Sequence, residues 1–336
     1  MTLIASLLLS TIACDTDEAS PAATDPTSAA DGEVDFAVMP EPTDLTLTLD
    51  FVPGGIHAGI YVALDAGYFD EANLHVDVQP PSSSADTLRL VLAGQTTVGI
   101  APVGDVAGLA ADGEPVEIFL ALEQVPLGAL ISTEAIGITD PSQLEGGTIG
   151  VTGVPSDEAI SRFVLEEAGA DTSTVEFITI GFDAVGNLIG RTVDAAFGFW
   201  SAEAVALEGE GEAPVLFRPD QYGAPPYPEL VFFAATESIE EDPLLFEAFA
   251  DALARGYATA LSDPEAAIDS LAALAPGIDT AFATAEFEKV SPHFMSPDGR
   301  YGAIDPDSFS RYLGWANQVG IIDSVPDDLL TTEFMP

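Results

Sequence analysis

The chain has 336 residues, 47% of them hydrophobic, which is enough for two lobes of ordinary domain size around sizeable cores. Its 56 acidic residues stand against 8 basic ones, a formal net charge of −48, and Lys289 is the sole lysine. Like-charge repulsion on that scale excludes nucleic acid and anionic lipid surfaces as partners.

In chain order, the apolar run "LIASLLLSTIAC" (3–14) comes first. It is far too short to span a bilayer. It ends on Ala13 and Cys14, like the tail of a bacterial lipoprotein signal, with Cys14 as the residue to be lipidated. The other reading of Cys14 is a free cysteine on a buried helix. As the single cysteine it excludes an intrachain disulfide. Residues 15–44 are rich in Ala, Ser, Thr, Pro and acids and read as a flexible tether. Anchor and tether together place the folded body outside the cell, close to its membrane. The acids themselves are spread over the whole chain, a pattern suited to high salt, where screening relieves self-repulsion.

From residue 45, β-rich apolar runs lie at 45–51, 74–79, 97–102, 116–123, 128–133, 148–153, 175–180, 194–199, 214–217 and 230–236. Helical patterns lie between them at 57–66, 84–93, 104–111, 156–168, 183–190 and 200–207. This alternation predicts an α/β fold of βαβ units with mostly parallel sheets. Beyond about residue 237 the pattern is helical alone: 243–261, 264–273, 279–289 and 306–319, separated by Pro-Gly and Pro-Asp pairs. The expected arrangement is two α/β lobes with a hinge and a ligand cleft between them. Residues 45–131 with 232–336 form the first, 132–231 the second, and strands cross near 131–135 and 229–234. Open parallel sheets present ligands beyond the C-terminal ends of their strands, so the cleft is the expected site.

Residues at the strand-to-helix junctions are therefore the candidates: Asp50, Phe51 and His57; Asp105; Glu123 and Gln124; Thr152, Gly153, Ser156 and Asp157; Trp200 and Glu203; Tyr222, Tyr227 and Glu229. Some have a structural reading beside the functional one. Ser156 or Asp157 suits a helix N-cap, Trp200 suits core packing, and His57 suits a satisfied surface histidine. Gly54 and Gly55 let the backbone turn tightly and approach a ligand. His57 and Tyr61 share a helix face at i, i+4, with Tyr61 equally at home in a core. Trp200 and Glu203, three apart, share another. Tyr222 and Tyr227 sit in the proline-stiffened loop "QYGAPPYPEL" and read as a lid wall. Rings and carboxylates with no Lys or Arg suit a flat, nitrogen-rich heterocycle, neutral or cationic, and not a sulfonate or phosphate.

The stretch "LDFVPGGIHAGIYVALDAGYFDEANLHVDV" (49–78), with "LEGGTIGVTGVPSDEA", "VDAAFGFWSAEAVAL" and "YGAPPYPELVF", resembles the NMT1/THI5-like family. The resemblance covers about 45–262. It implies a periplasmic-binding-protein type II fold that closes over a small molecule and delivers it to an ABC importer's permease and ATPase. It also implies a monomer, without cofactor or metal. The implied ligand is a thiamine pyrimidine precursor, hydroxymethyl- or formylaminomethyl-pyrimidine, or alternatively riboflavin or another flat vitamin. A eukaryotic branch makes the pyrimidine enzymatically. Where that branch carries its cofactor lysine and sacrificial histidine, Ala101 and Asp105 stand here, and "APPYPELVFFA" lacks its cysteines. An enzyme is accordingly not expected. No GxSxG, HExxH or phosphate-cradling glycine motif occurs either.

Overall fold

Leu45, Leu47 and Leu49 alternate along the first apolar segment and all three are buried, so this segment lays one face on a core from its outset. The computed structural model describes residues 36–335. The expected signal, Cys14 and the tether as far as residue 35 lie outside them.

The strands are β1 (Thr43–Thr48), β2 (Leu74–Gln79), β3 (Val98–Pro102), β4 (Val116–Ala121), β5 (Gly128–Thr133), β6 (Thr148–Val151), β7 (Glu176–Thr179), β8 (Ala195–Phe199), β9 (Pro214–Phe217) and β10 (Leu230–Ala235). They form two five-stranded sheets, β2-β1-β3-β10-β4 and β7-β6-β8-β5-β9. Helices α1 (Ala58–Asp65), α2 (Tyr68–Glu71), α3 (Asp86–Leu92) and α4 (Val103–Ala111) serve the first sheet. Helices α5 (Pro155–Glu167), α6 (Ala184–Ile189) and α7 (Glu203–Gly209) serve the second. The C-terminal part adds α8 (Thr236–Glu241), α9 (Pro243–Ser262), α10 (Pro264–Leu274), α11 (Thr280–Val290) and α12 (Pro306–Gln318). The architecture is two α/β lobes with a cleft between them, as the residue pattern implied.

Three expectations need correction. The sheets are mixed, not mostly parallel: β10 runs antiparallel to β3 and β4, and β5 antiparallel to β8 and β9. The reason is connectivity. β5 and β10 each arrive from the other lobe, entering at the edge where the parallel strands end, and so run the opposite way. β5 belongs wholly to the second sheet, so the first crossing is residues 122–127 rather than 131–135, and the second is 218–229. The last residues of the expected tether are also packed. Met39 is buried and hydrogen-bonded to Ala72, the Ala37 amide donates to Asp251, and the Arg255 guanidinium lies over the Phe36 ring.

Helices α1, α9, α10 and α11 share one apolar core with β1 and β3, around Phe69, Phe119, Phe246 and Phe249. A second core joins α4 and α12 to Val151 and Ile160 of the second lobe. The short helices α2 and α8, of four and six residues, are too short for a readable periodicity and lie outside the anticipated helices.

Candidate functional site

The turn after β1 builds the first wall. Asp50, Phe51 and Val52 follow the strand, and a single 3-10 turn, Gly55–His57, leads into α1. A side chain on Gly55 would run into the backbone of Ala283 and Phe287, and one on Gly54 into the Glu286 carboxylate. The two glycines therefore admit helix α11, not a ligand, against this turn. That close approach carries Phe282 and Glu286 into the cleft. His57 is buried, and its Nδ1 accepts the Gly54 amide hydrogen at 3.2 Å. Nε2 thus bears the proton and donates to Asp50 Oδ1 at 2.9 Å. Tyr61 is buried in the core of the first lobe.

The second lobe supplies the opposite wall. Thr152, just past β6, donates from its amide and its hydroxyl to Asp157 Oδ2 at 2.7 and 2.6 Å. Glu203 opens α7 and accepts the Phe199 amide at 2.6 Å. Phe182, past β7, meets Phe51 edge to face across the cleft, with ring centroids 4.5 Å apart.

Between these walls lies a cavity with about 700 Å³ of empty space, its solvent opening included. Phe51, Phe182, Phe197, Phe199 and Phe282 give it rings; Asp50, Asp157, Glu203 and Glu286 give it carboxyl groups; His57, Ser84 and Thr152 complete the polar set. No Lys or Arg lines it. Among the described residues, no group of three or more His, Cys, Asp and Glu side chains is arranged to hold a metal ion.

Carboxyl groups crowded in a cavity without cations retain their protons more readily. Burial lifts Asp157 to about 8, helped by the Asp105 charge and opposed by the Thr152 hydrogen bonds. Burial lifts Glu286 to about 7, opposed by His57 and by the Ile56 and Gly55 amides. Burial raises Glu203 as well, against the Phe199 amide. Near neutral pH the lining thus offers both carboxylate acceptors and carboxylic acid donors.

Behind the cavity, the two crossings are braced by carboxyl groups. Glu123, on the first, accepts the amides of Val125, Glu229 and Leu230 at 2.7, 2.7 and 3.1 Å. Glu229, on the second, accepts those of Leu127 and Gly128 at 3.1 and 3.0 Å. Each carboxyl group thus binds the other crossing's backbone. Both are buried, which holds Glu229 near 7 and Glu123 well above the usual carboxyl range.

Of the residues expected at the site, Asp50, Phe51, His57, Thr152, Asp157 and Glu203 line the cavity. The others are placed elsewhere. Asp105 is buried and accepts two hydrogen bonds from Ser156. Gly153 lies on the surface with φ +113°. Gln124 donates to the Ala303 carbonyl, outside the cavity. Trp200 is not on a shared helix face with Glu203, because α7 begins only at Glu203. Its indole donates to the Pro126 carbonyl and lies under the Arg218 guanidinium. Tyr227 is 2% exposed and packs at a tilt against Tyr312, a core residue rather than a lid wall. Tyr222 packs against the core of the second lobe. Besides Phe51, the rings of the cavity are Phe182, Phe197, Phe199 and Phe282, which the sequence did not single out. Glu286 was missed too. Its one signal is the i, i+4 spacing from Phe282 on an anticipated helix, and abundant acids hide such a pair.

The chain is similar to known proteins in sequence and in fold. The chain is 27% identical over 276 residues to the formylaminopyrimidine-binding protein of Halalkalibacterium halodurans, covering 80% of this chain and 82% of that one. It is 24% identical over 253 residues to the 4-amino-5-hydroxymethyl-2-methylpyrimidine phosphate synthase of Legionella pneumophila, covering 74% and 79%. In fold it is similar to the alkanesulfonate-binding protein of Xanthomonas axonopodis pv. citri, with TM-score 0.68 and 13% identity over 87% of this chain and 99% of that one. The family profile described as NMT1/THI5 like matches residues 55–267, from the glycine turn into α10. With the glycine turn, His57 and all of the second lobe inside that match, the chain belongs to the NMT1/THI5-like family.

Proposed function

We propose that the protein is an extracytoplasmic solute-binding protein that takes a planar, nitrogen-rich heterocycle into its cleft and passes it to an ABC importer. The favoured guest is a thiamine pyrimidine precursor, hydroxymethyl- or formylaminomethyl-pyrimidine. Cys14 is the proposed lipid attachment point, holding a monomeric body at the outer face of the membrane. The observation that carries the reading is the lining: phenylalanine rings, four carboxyl groups and no cation. An aminopyrimidine presents ring nitrogens that accept and an exocyclic amine that donates, and a mixture of carboxylic acids and carboxylates answers both. A sulfonate would find no counter-charge. The name of the Halalkalibacterium relative supports the same class.

Isothermal titration calorimetry with 4-amino-5-hydroxymethyl-2-methylpyrimidine and its formylaminomethyl analogue tests this. Binding at micromolar concentration or tighter is expected, with a raised melting temperature. Heat and stabilisation from an alkanesulfonate or riboflavin, and none from either pyrimidine, overturn it. Formation of the pyrimidine from pyridoxal phosphate by the pure protein would revive the synthase alternative. That alternative lacks support here, since Ala101 is a buried strand residue and Asp105 is engaged with Ser156.

A further inference from the structure

Asp105 stands in the first turn of α4, in the first lobe, and is 6% exposed. Both of its oxygens are used, and both bonds reach the other lobe. Oδ1 accepts the Ser156 amide at 3.2 Å and Oδ2 accepts the Ser156 hydroxyl at 2.8 Å. The receiving turn has no cap of its own. The N-cap position of α5 is Val154, whose side chain offers no acceptor, and Pro155 follows it. The free amide of Ser156 is therefore satisfied from across the cleft. The two turns are in close contact: a side chain added to Gly104 would press on Tyr312, Ile321 and the Ser156 Cβ. Asp105 itself does not line the cavity, but the turn it holds does, through Val154 and Asp157.

We propose that Asp105 is a positioning residue for the binding site: its two hydrogen bonds to Ser156 pin the first turn of α5, and the cavity wall that turn carries, against the first lobe. When the lobes part, water replaces the bonds on both sides. When the carboxylate is removed, only the open arrangement leaves the Ser156 donors satisfied. Truncation therefore shifts the balance toward the open arrangement. The inference rests on the solute-binding reading for its ligand arm, and on geometry alone for the rest.

The test uses the full chain with Asp105→Ala, Asp105→Asn, Ser156→Ala and the double variant Asp105→Ala/Ser156→Ala. Small-angle X-ray scattering without ligand should show a larger radius of gyration for Asp105→Ala than for wild type. Asp105→Asn, which keeps one acceptor, should be intermediate. In stopped-flow titration with 4-amino-5-hydroxymethyl-2-methylpyrimidine, Asp105→Ala should dissociate roughly ten- to a hundredfold faster, the factor that a hydrogen bond to a charged group is worth. The double variant should be no worse than Asp105→Ala, because the two side chains act through one contact. A lowered melting temperature with unchanged scattering and unchanged dissociation overturns the proposal in favour of plain packing. Weakened binding with unchanged scattering overturns it in favour of direct ligand contact. If no pyrimidine binds, the functional reading fails, while the ligand-free scattering still decides the role of Asp105.

Discussion

Four buried carboxyl groups dominate the interior chemistry: Asp105 near 6, Glu229 and Glu286 near 7, and Asp157 near 8, each raised first of all by burial. An unfolded chain ionises such groups at ordinary carboxyl values. Between those values and the raised ones the folded protein holds more protons than the unfolded chain. Their contribution is thus fully present in acid and is lost as pH rises through about 6 to 8. The melting temperature is expected to fall between about pH 5 and about pH 9. Asp157→Asn retains an acceptor for both Thr152 bonds and should flatten the upper part of that fall. A melting temperature that is level or climbs across this interval contradicts the assignment. Asp157 and Asp50 were findable because they sit at strand-to-helix junctions. Glu286 was not, because it comes from a distant helix that only the glycine turn admits.

The crossing segments make a second prediction. Glu123→Ala strands three backbone amides, those of half-buried Val125 and of fully buried Glu229 and Leu230. Each buried orphan donor costs about 1–3 kcal/mol before relaxation. Guanidinium unfolding should therefore show a loss of about 2–4 kcal/mol for Glu123→Ala after partial relaxation. A loss below about 1 kcal/mol would mean that the backbone finds other partners. Glu123→Gln, with one good acceptor left, should lose less. Strand positions were readable here because apolar runs between turn residues mark them. Which sheet β5 joins was not, since an apolar run suits either core equally.

Charge acts on the molecule as a whole. With a net charge of −48 and few cations, the surface repels itself. The described ion pairs, such as Arg255 with Glu71 and Arg162 with Glu158, engage only a handful of the acids. The Debye length shrinks from about 10 Å at 0.1 M salt to about 3 Å at 1 M. The melting temperature is expected to rise over that interval of potassium chloride, and to rise more than in sucrose of equal osmolality, where charge is not screened. Equal responses to the two solutes would show that self-repulsion is unimportant.

The order of elements and the two-lobed α/β plan follow from hydrophobic period and turn residues, which are local properties, and the chain's residues carry them openly. The class of site also followed, because strand ends face the cleft in any such fold: six residues at those ends line the cavity. What depended on tertiary packing was the identity of the rings and the fate of the other acids. Trp200 and Tyr227 are as aromatic as Phe51 and Phe182, and Asp105 is as acidic as Asp50. Their roles differ because long-range contacts, α12 against Tyr227 and α5 against Asp105, claim some side chains for the interior and leave others facing the gap. No local pattern encodes which partner arrives from more than fifty residues away.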